Sequence, residues 1–126
     1  MDGSVNIINW FEVSVSDIAR ASKFYEAVFD IKLNQMEMMG MKYAMFPMEN
    51  MNGKVSGALA EGPMHKTSAD GVKIYFNGNP DLDVALGKVE AAGGKVTMPK
   101  TSIGENGFMA FFTDTEGNGV ALHSNG

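Results

Sequence analysis

The sequence contains no cysteine, which excludes disulfides, thiolate zinc sites, iron-sulfur clusters and a cysteine nucleophile together. It has only two histidines, His65 and His123, so any metal would lean on Asp and Glu for its ligands. Basic charge is short as well: ten Lys plus Arg stand against fifteen Asp plus Glu, a net charge of -5. That is the wrong sign for tracking a phosphate backbone, and no nucleic acid partner is expected. No apolar run approaches the ~18 residues of a membrane span, so no membrane partner is expected either. The amino terminus carries Asp2, no basic start and no long apolar stretch; it does not read as a secretory signal, and the expected location is cytoplasmic. No Gly-x-Gly-x-x-Gly fingerprint, His-Glu-x-x-His helix or nucleophile elbow occurs.

What is present suits a globular chain: 126 residues, 44% apolar and 20% charged, the size of one domain over 1–126. In 7–15, Phe11, Val13 and Val15 alternate with Trp10, Glu12 and Ser14, the period of a strand. Asp17 then offers an N-cap, and Ile18, Ala21, Tyr25, Val28 and Phe29 follow at helical spacing, predicting a helix over 17–29 that ends at Asp30. Strands are expected over 33–38 and 41–46, hinged at Gly40, and over 54–60 after a turn at 50–53. This makes βαβββ over about 5–61.

A polar linker at 62–70, opening on Gly62-Pro63, precedes a restart over 71–124. Residues 72–77 alternate again. Asn79 is the expected cap and Pro80 the first residue of a second helix, with Leu82, Leu86 and Val89 as its apolar stripe and Gly93-Gly94 as its stop. Strands are expected over 95–98, 108–113 and 118–123, with a turn at Asp114-Thr115-Glu116-Gly117. Placing Tyr25-Glu26-Ala27 over Val89-Glu90-Ala91 puts the elements of both halves in the same order, which argues for an internal duplication.

The more uniformly apolar faces, Phe11-Val13-Val15 and Val72-Ile74-Phe76, should pack on helices. The opposite faces then present Trp10, Glu12, Lys73, Tyr75, Asn77 and, from the last strand, His123. These six are the candidate ligand-binding residues. Glu12 is also the candidate general base, with an ion pair to Lys73 as the plain structural alternative. Trp10 and Tyr75 could stack on a flat or cationic ligand, or simply pack. His65 should be solvated, and His123 should hydrogen-bond a neighbour. Seven methionines (Met36, Met38, Met39, Met41, Met45, Met48, Met51) cluster around the first hairpin, where core filling is the expectation and an adaptable ligand wall the alternative. The loop 101–107 is a candidate lid.

Several local segments are similar to those of one known superfamily: Val15-Ser16-Asp17 running into Lys23-Phe24-Tyr25-Glu26-Ala27-Val28-Phe29, then Lys88-Val89-Glu90-Ala91-Ala92-Gly93-Gly94, then Asp114-Thr115-Glu116-Gly117-Asn118. With the doubled βαβββ order, the chain resembles the vicinal oxygen chelate superfamily of glyoxalase I, fosfomycin and bleomycin resistance proteins and extradiol dioxygenases. The resemblance implies an α+β fold in which two tandem βαβββ modules curve mixed sheets around a concave cavity, and it implies a homodimer.

It also implies, for metal-using members, His or Glu ligands on the first and last strands of each half. Those places hold Trp10, Lys73 (or Tyr75 if the alignment slips), Ala121 and the acid-free stretch 55–59. No cofactor is therefore expected, although a divalent ion on a displaced site using Glu12 and His123 is the alternative. Two functions follow from this pattern. One is a metal-free module that binds a small cationic or aromatic molecule; the other is a lyase, isomerase or dioxygenase-like enzyme using Glu12 as base. Whether the protein is an enzyme stays open at this point.

Overall fold

Residues 2–49 and 54–126 are described by the computed structural model, in which the doubled βαβββ order is realised as two four-stranded mixed sheets. The first half comprises β1 (Trp10–Ser14), α1 (Ile18–Phe29), β2 (Asn34–Met38), β3 (Met41–Met45) and β4 (Ser56–Glu61). The second comprises β5 (Tyr75–Asn77), α2 (Asp83–Leu86), β6 (Lys95–Ser102), β7 (Phe108–Thr113) and β8 (Gly119–Ser124), with a single 3-10 turn at Gly104–Asn106. The spatial orders are β1-β4-β3-β2 and β5-β8-β7-β6. In each, the first strand pairs in parallel with the last and leaves its other side open. The turn expected at 50–53, and Met51 with it, lies outside the described residues.

Helix α1 forms as its sequence dictates. Asp17 accepts a hydrogen bond from Arg20 N at the start, and Asp30 ends the helix in the left-handed conformation (φ 53), its N–H donating to Glu26 O. The face formed by Ala21, Phe24, Tyr25 and Val28 is buried. Tyr25 sits between the halves, its ring 5.9 Å from Phe46 and 5.6 Å from Phe76, so α1 closes one core shared by both modules. Burying an aromatic side chain of this size contributes roughly 1.5–3 kcal/mol, which makes this shared cluster the main apolar bond between the halves.

A polar seam reinforces it. The turn after β7 reaches across to α1: the fully shielded Glu116 accepts from Ser16 N, Asp17 N and the Arg20 guanidinium at 2.7 Å. Burial would raise the Glu116 pKa, but the Arg20 and backbone donors outweigh it and hold it at about 2. Beside it, buried Asp114 accepts from Tyr25 Oη at 2.7 Å and from Asn118 Nδ2, which also donates to Ser14 O. Burial first, then the adjacent Asp114 charge, push the Tyr25 phenol well above its ordinary pKa. The Asp114–Asn118 segment is thus the clamp between modules as well as a turn.

Four expectations need correction. First, strand β1 starts at Trp10, not at Ile7. Second, strand β5 covers only Tyr75–Asn77, and Val72, expected on the helix side, is 91% exposed. The linker causes this: Ser68 O takes the Gly119 N–H, and Asn118 Oδ1 takes Ser68 N–H, so the pairing that residues 72–73 would need is already made.

Third, the second helix is a four-residue helix from Asp83, followed by irregular helical turns to Gly94. Asn79 is not its cap, because its side chain accepts from Asn125 N, while Ser124 Oγ takes the Leu82 N–H. Leu82, Leu86 and Val89 are nonetheless buried as the stripe required. Fourth, no methionine is among the buried core residues described; Met36 and Met38 are exposed because β2 is an edge strand with both faces open, and Met39 on the hairpin turn and Met48 beyond β3 are exposed as well.

Candidate functional site

The strand registers set two rows facing away from the core. Trp10, Glu12 and Ser14 of β1 align with Ser56, Ala58 and Ala60 of β4, and the row continues to Met45 and Tyr43 of β3. In the second half, Tyr75 and Asn77 align with Ala121 and His123 of β8, then Phe111 and Met109 of β7. Tyr75 therefore stands where Glu12 does, each beside an alanine, and Lys73 stands where Trp10 does, two residues earlier.

Between the open sides of β1 and β5 runs a cleft of about 720 Å³. Four of the six candidate residues line it: Trp10, Lys73, Tyr75 and Asn77. Phe11 and Phe46 supply further apolar wall. Phe111, which the sequence reading missed, carries the second row: the Lys73 ammonium lies 5.1 Å from its ring centre and the Tyr75 ring 6.1 Å away, edge-on. The signal was available, because β7 is apolar on both faces, with Ala110 and Phe112 turned to the core and Met109 and Phe111 to the opposite side.

Glu12 is set apart from this group. Its Oε2 accepts from Trp10 Nε1 at 3.3 Å and its Oε1 lies 2.8 Å from His65 Nε2. The partner of Glu12 is thus His65, not Lys73. The linker turns back over β1, closed by His65 N donating to Gly62 O, and brings His65 onto the carboxylate with only 15% of its side chain exposed. The solvated His65 expected from the sequence is corrected accordingly; its Nδ1 is buried without a partner. Glu12 lines a second, smaller cavity of about 370 Å³ with Ser14, Ser68 and Asn118.

His123 lines neither cavity. Its Nε2 bonds Asn106 O at 2.7 Å, which ties the 3-10 turn to the sheet. The proposed lid is shortened as well, since Thr101 and Ser102 belong to β6.

The ligand positions implied by the resemblance can now be tested against the geometry. They hold Trp10 on β1, Lys73 two residues ahead of β5 (or Tyr75 at its start) and Ala121 on β8, while residues 55–59 leading into and along β4 carry no acid or His. An indole N–H and an ammonium have no lone pair to give, and alanine has no donor atom. Among the described residues, no three His, Asp or Glu side chains gather where they could hold an ion. The residues present do not fit the metal site of metal-using relatives.

Comparison with known proteins agrees with the architecture. The sequence model of the Glyoxalase/Bleomycin resistance protein/Dioxygenase superfamily matches residues 7–122. "Putative glyoxylase CFP32" of Mycobacterium bovis is 32% identical over 117 residues, which are 90% of this chain and 44% of that protein. The chain therefore spans less than half of that relative. Glyoxalase I from Zea mays superimposes with a TM-score of 0.72 at 22% identity, over 92% of this chain and 45% of the maize protein. TnmS3, an antibiotic binding protein from Streptomyces sp. CB03234, gives 0.67 at 20% identity over 98% of both chains.

Proposed function

The chain belongs to the Glyoxalase/Bleomycin resistance protein/Dioxygenase superfamily, and from that premise we propose that it binds a small planar molecule between β1 and β5 without the superfamily's metal. The observation that carries this reading is the filling of the implied ligand places by Trp10, Lys73 (or Tyr75), Ala121 and the acid- and His-free stretch 55–59, beside an open aromatic cleft. The cleft volume of about 720 Å³ lies within the range of small-molecule sites. Trp10 and Tyr75 offer ring faces and edges, each good aromatic contact contributing about 0.5–1.5 kcal/mol beyond buried area, while the Asn77 amide, whose Oδ1 already accepts from Asn79 N, adds a directional donor. TnmS3, of matching length and shared fold, binds an antibiotic, which supports a binding role for a module of this size.

Trp10 is the single tryptophan, so its fluorescence reports on the cleft directly. Titration with para-nitrobenzoate and para-nitrobenzamide, which quench indole, should give saturable curves with the same midpoint in buffer and in excess EDTA. Loss of the signal in Tyr75→Ala would place the ligand in the cleft. Quenching that disappears in EDTA and returns with a divalent ion would overturn the reading.

A second reading, an enzyme in which Glu12 moves a proton, rests on the 2.8 Å contact between Glu12 and His65 beside the smaller cavity. Turnover of a small oxygenated substrate lost in Glu12→Gln, with cleft affinity retained, would favour it. A homodimer belongs to the same proposal, since β2 and β6 leave open sheet edges that a second copy can cover; light scattering checks it.

A further inference from the structure

We infer that the cleft selects a planar aromatic carboxylate, with the acid group on the Lys73 ammonium and the ring against Trp10 and Tyr75. This rests on the binding reading above and specifies the ligand's charge. The chain as a whole is acidic, at -5, which taken alone would favour a cation. The cleft is different: among the described residues its lining contains no Asp, Glu, Arg or His, and Lys73 is its one charged residue.

Lys73 is also unspent. Among the described residues no carboxylate lies within ion-pair distance of it, and its contact is the Phe111 ring at 5.1 Å. Lys100 makes the contrast plain, because it lies 4.5 Å from the centre of the Phe108 ring yet also pairs with Asp81 at 2.9 Å. A ring face holds an ammonium in place without consuming its N–H donors, so Lys73 keeps them for a ligand. Gly119 leaves it room, since a Cβ there would meet Lys73 Nζ at 2.8 Å. Glu12, the one carboxylate in the facing row of β1 and β4, is committed to Trp10 and His65.

The test compares three probes of one shape by Trp10 quenching at low salt: para-nitrobenzoate, para-nitrobenzamide and para-nitrobenzylamine. The carboxylate should bind about tenfold more tightly than the amide, as one charge-assisted contact allows, and the amine most weakly. The advantage should shrink at high salt, collapse to parity in Lys73→Met, survive in Lys73→Arg, and be untouched by the remote Lys88→Met. Circular dichroism of each variant confirms folding. If amide and carboxylate bind equally in the unaltered protein, or the amine binds best, the charge assignment fails while the binding reading stands. If none of the three binds, both fail.

Discussion

The two modules share an element order but spend their matching positions differently. In module 1 the outward row of β1 is closed on itself: Glu12 holds both Trp10 and His65. In module 2 the same places carry Lys73 and Tyr75, whose contact is Phe111 and whose side-chain polar atoms make no ion pair among the described residues. Their inward rows differ in the complementary sense. Phe11 is accommodated because Gly57 lies beside it, whereas module 2 carries the smaller Ile74 just ahead of β5 and Val120 one step before Ala121. A duplicated scaffold can therefore keep its shape through compensating pairs in the core while the outward positions diverge freely. Here the places of the implied metal site carry no His or Glu, and the cleft beside them is aromatic, with Lys73 its one charged residue among those described.

The largest break in this comparison should come from Gly57→Ala. A Cβ there runs into the Phe11 carbonyl and ring, and backbone cannot move as a side-chain tip can, so a loss of about 3 kcal/mol or more is expected by chemical denaturation. Ile74→Ala, at the matching place, should cost less, because its half-buried side chain leaves a smaller cavity.

The clamp between modules comes next. Glu116 has a folded pKa of about 2 against an ordinary value of 4.5. Its contribution is complete above that ordinary value and is lost as pH falls through about 2. Allowing for the half-exposed Arg20, it should contribute about 2 kcal/mol at neutral pH. Glu116→Gln should lower stability at pH 7 by that order and flatten the acid limb of the stability curve between pH 4.5 and about 2, a window read from the same two values. A parallel acid limb in the variant would show that the modules are not held through this carboxylate.

Tyr25→Phe removes the donor to Asp114 Oδ2 and keeps the ring packing, so a loss of about 1–2 kcal/mol is expected in the melting curve. The smallest effect is a gain. Met39 and Gly40 both have positive φ, and Met39→Asn suits that hairpin better, by about 0.5 kcal/mol in thermal stability.

Much of the fold was legible because its signals are local. The Asp17 cap, the left-handed Asp30 and the alternation that turned Val13 and Val15 inward all follow from neighbours along the chain. The same alternation grouped Trp10, Lys73, Tyr75 and Asn77, all of which line the cleft, but Phe11, Ile74 and Phe76 of the opposite faces line it too, and Glu12 and His123 of the same grouping do not. What escaped depends on contacts far apart in sequence. Ser68 taking the Gly119 amide shortens β5, Ser124 and Asn125 reset the start of α2, and the linker delivers His65 to Glu12. None of these leaves a period in the sequence. The clamp was visible as the Asp114–Asn118 motif, but its reach to α1 was not, since its partners lie about a hundred residues away.

Metal retention tests the central claim most directly. The protein is stripped with chelator, incubated with nickel, zinc, manganese or ferrous iron, desalted and assayed by elemental analysis. Retention near zero for every ion is the result expected when the implied ligand places hold Trp10, Lys73 (or Tyr75), Ala121 and the acid- and His-free stretch 55–59. Retention near one ion per chain, abolished in Glu12→Ala or His65→Ala, would contradict it and relocate the superfamily's chemistry to the Glu12–His65 pair.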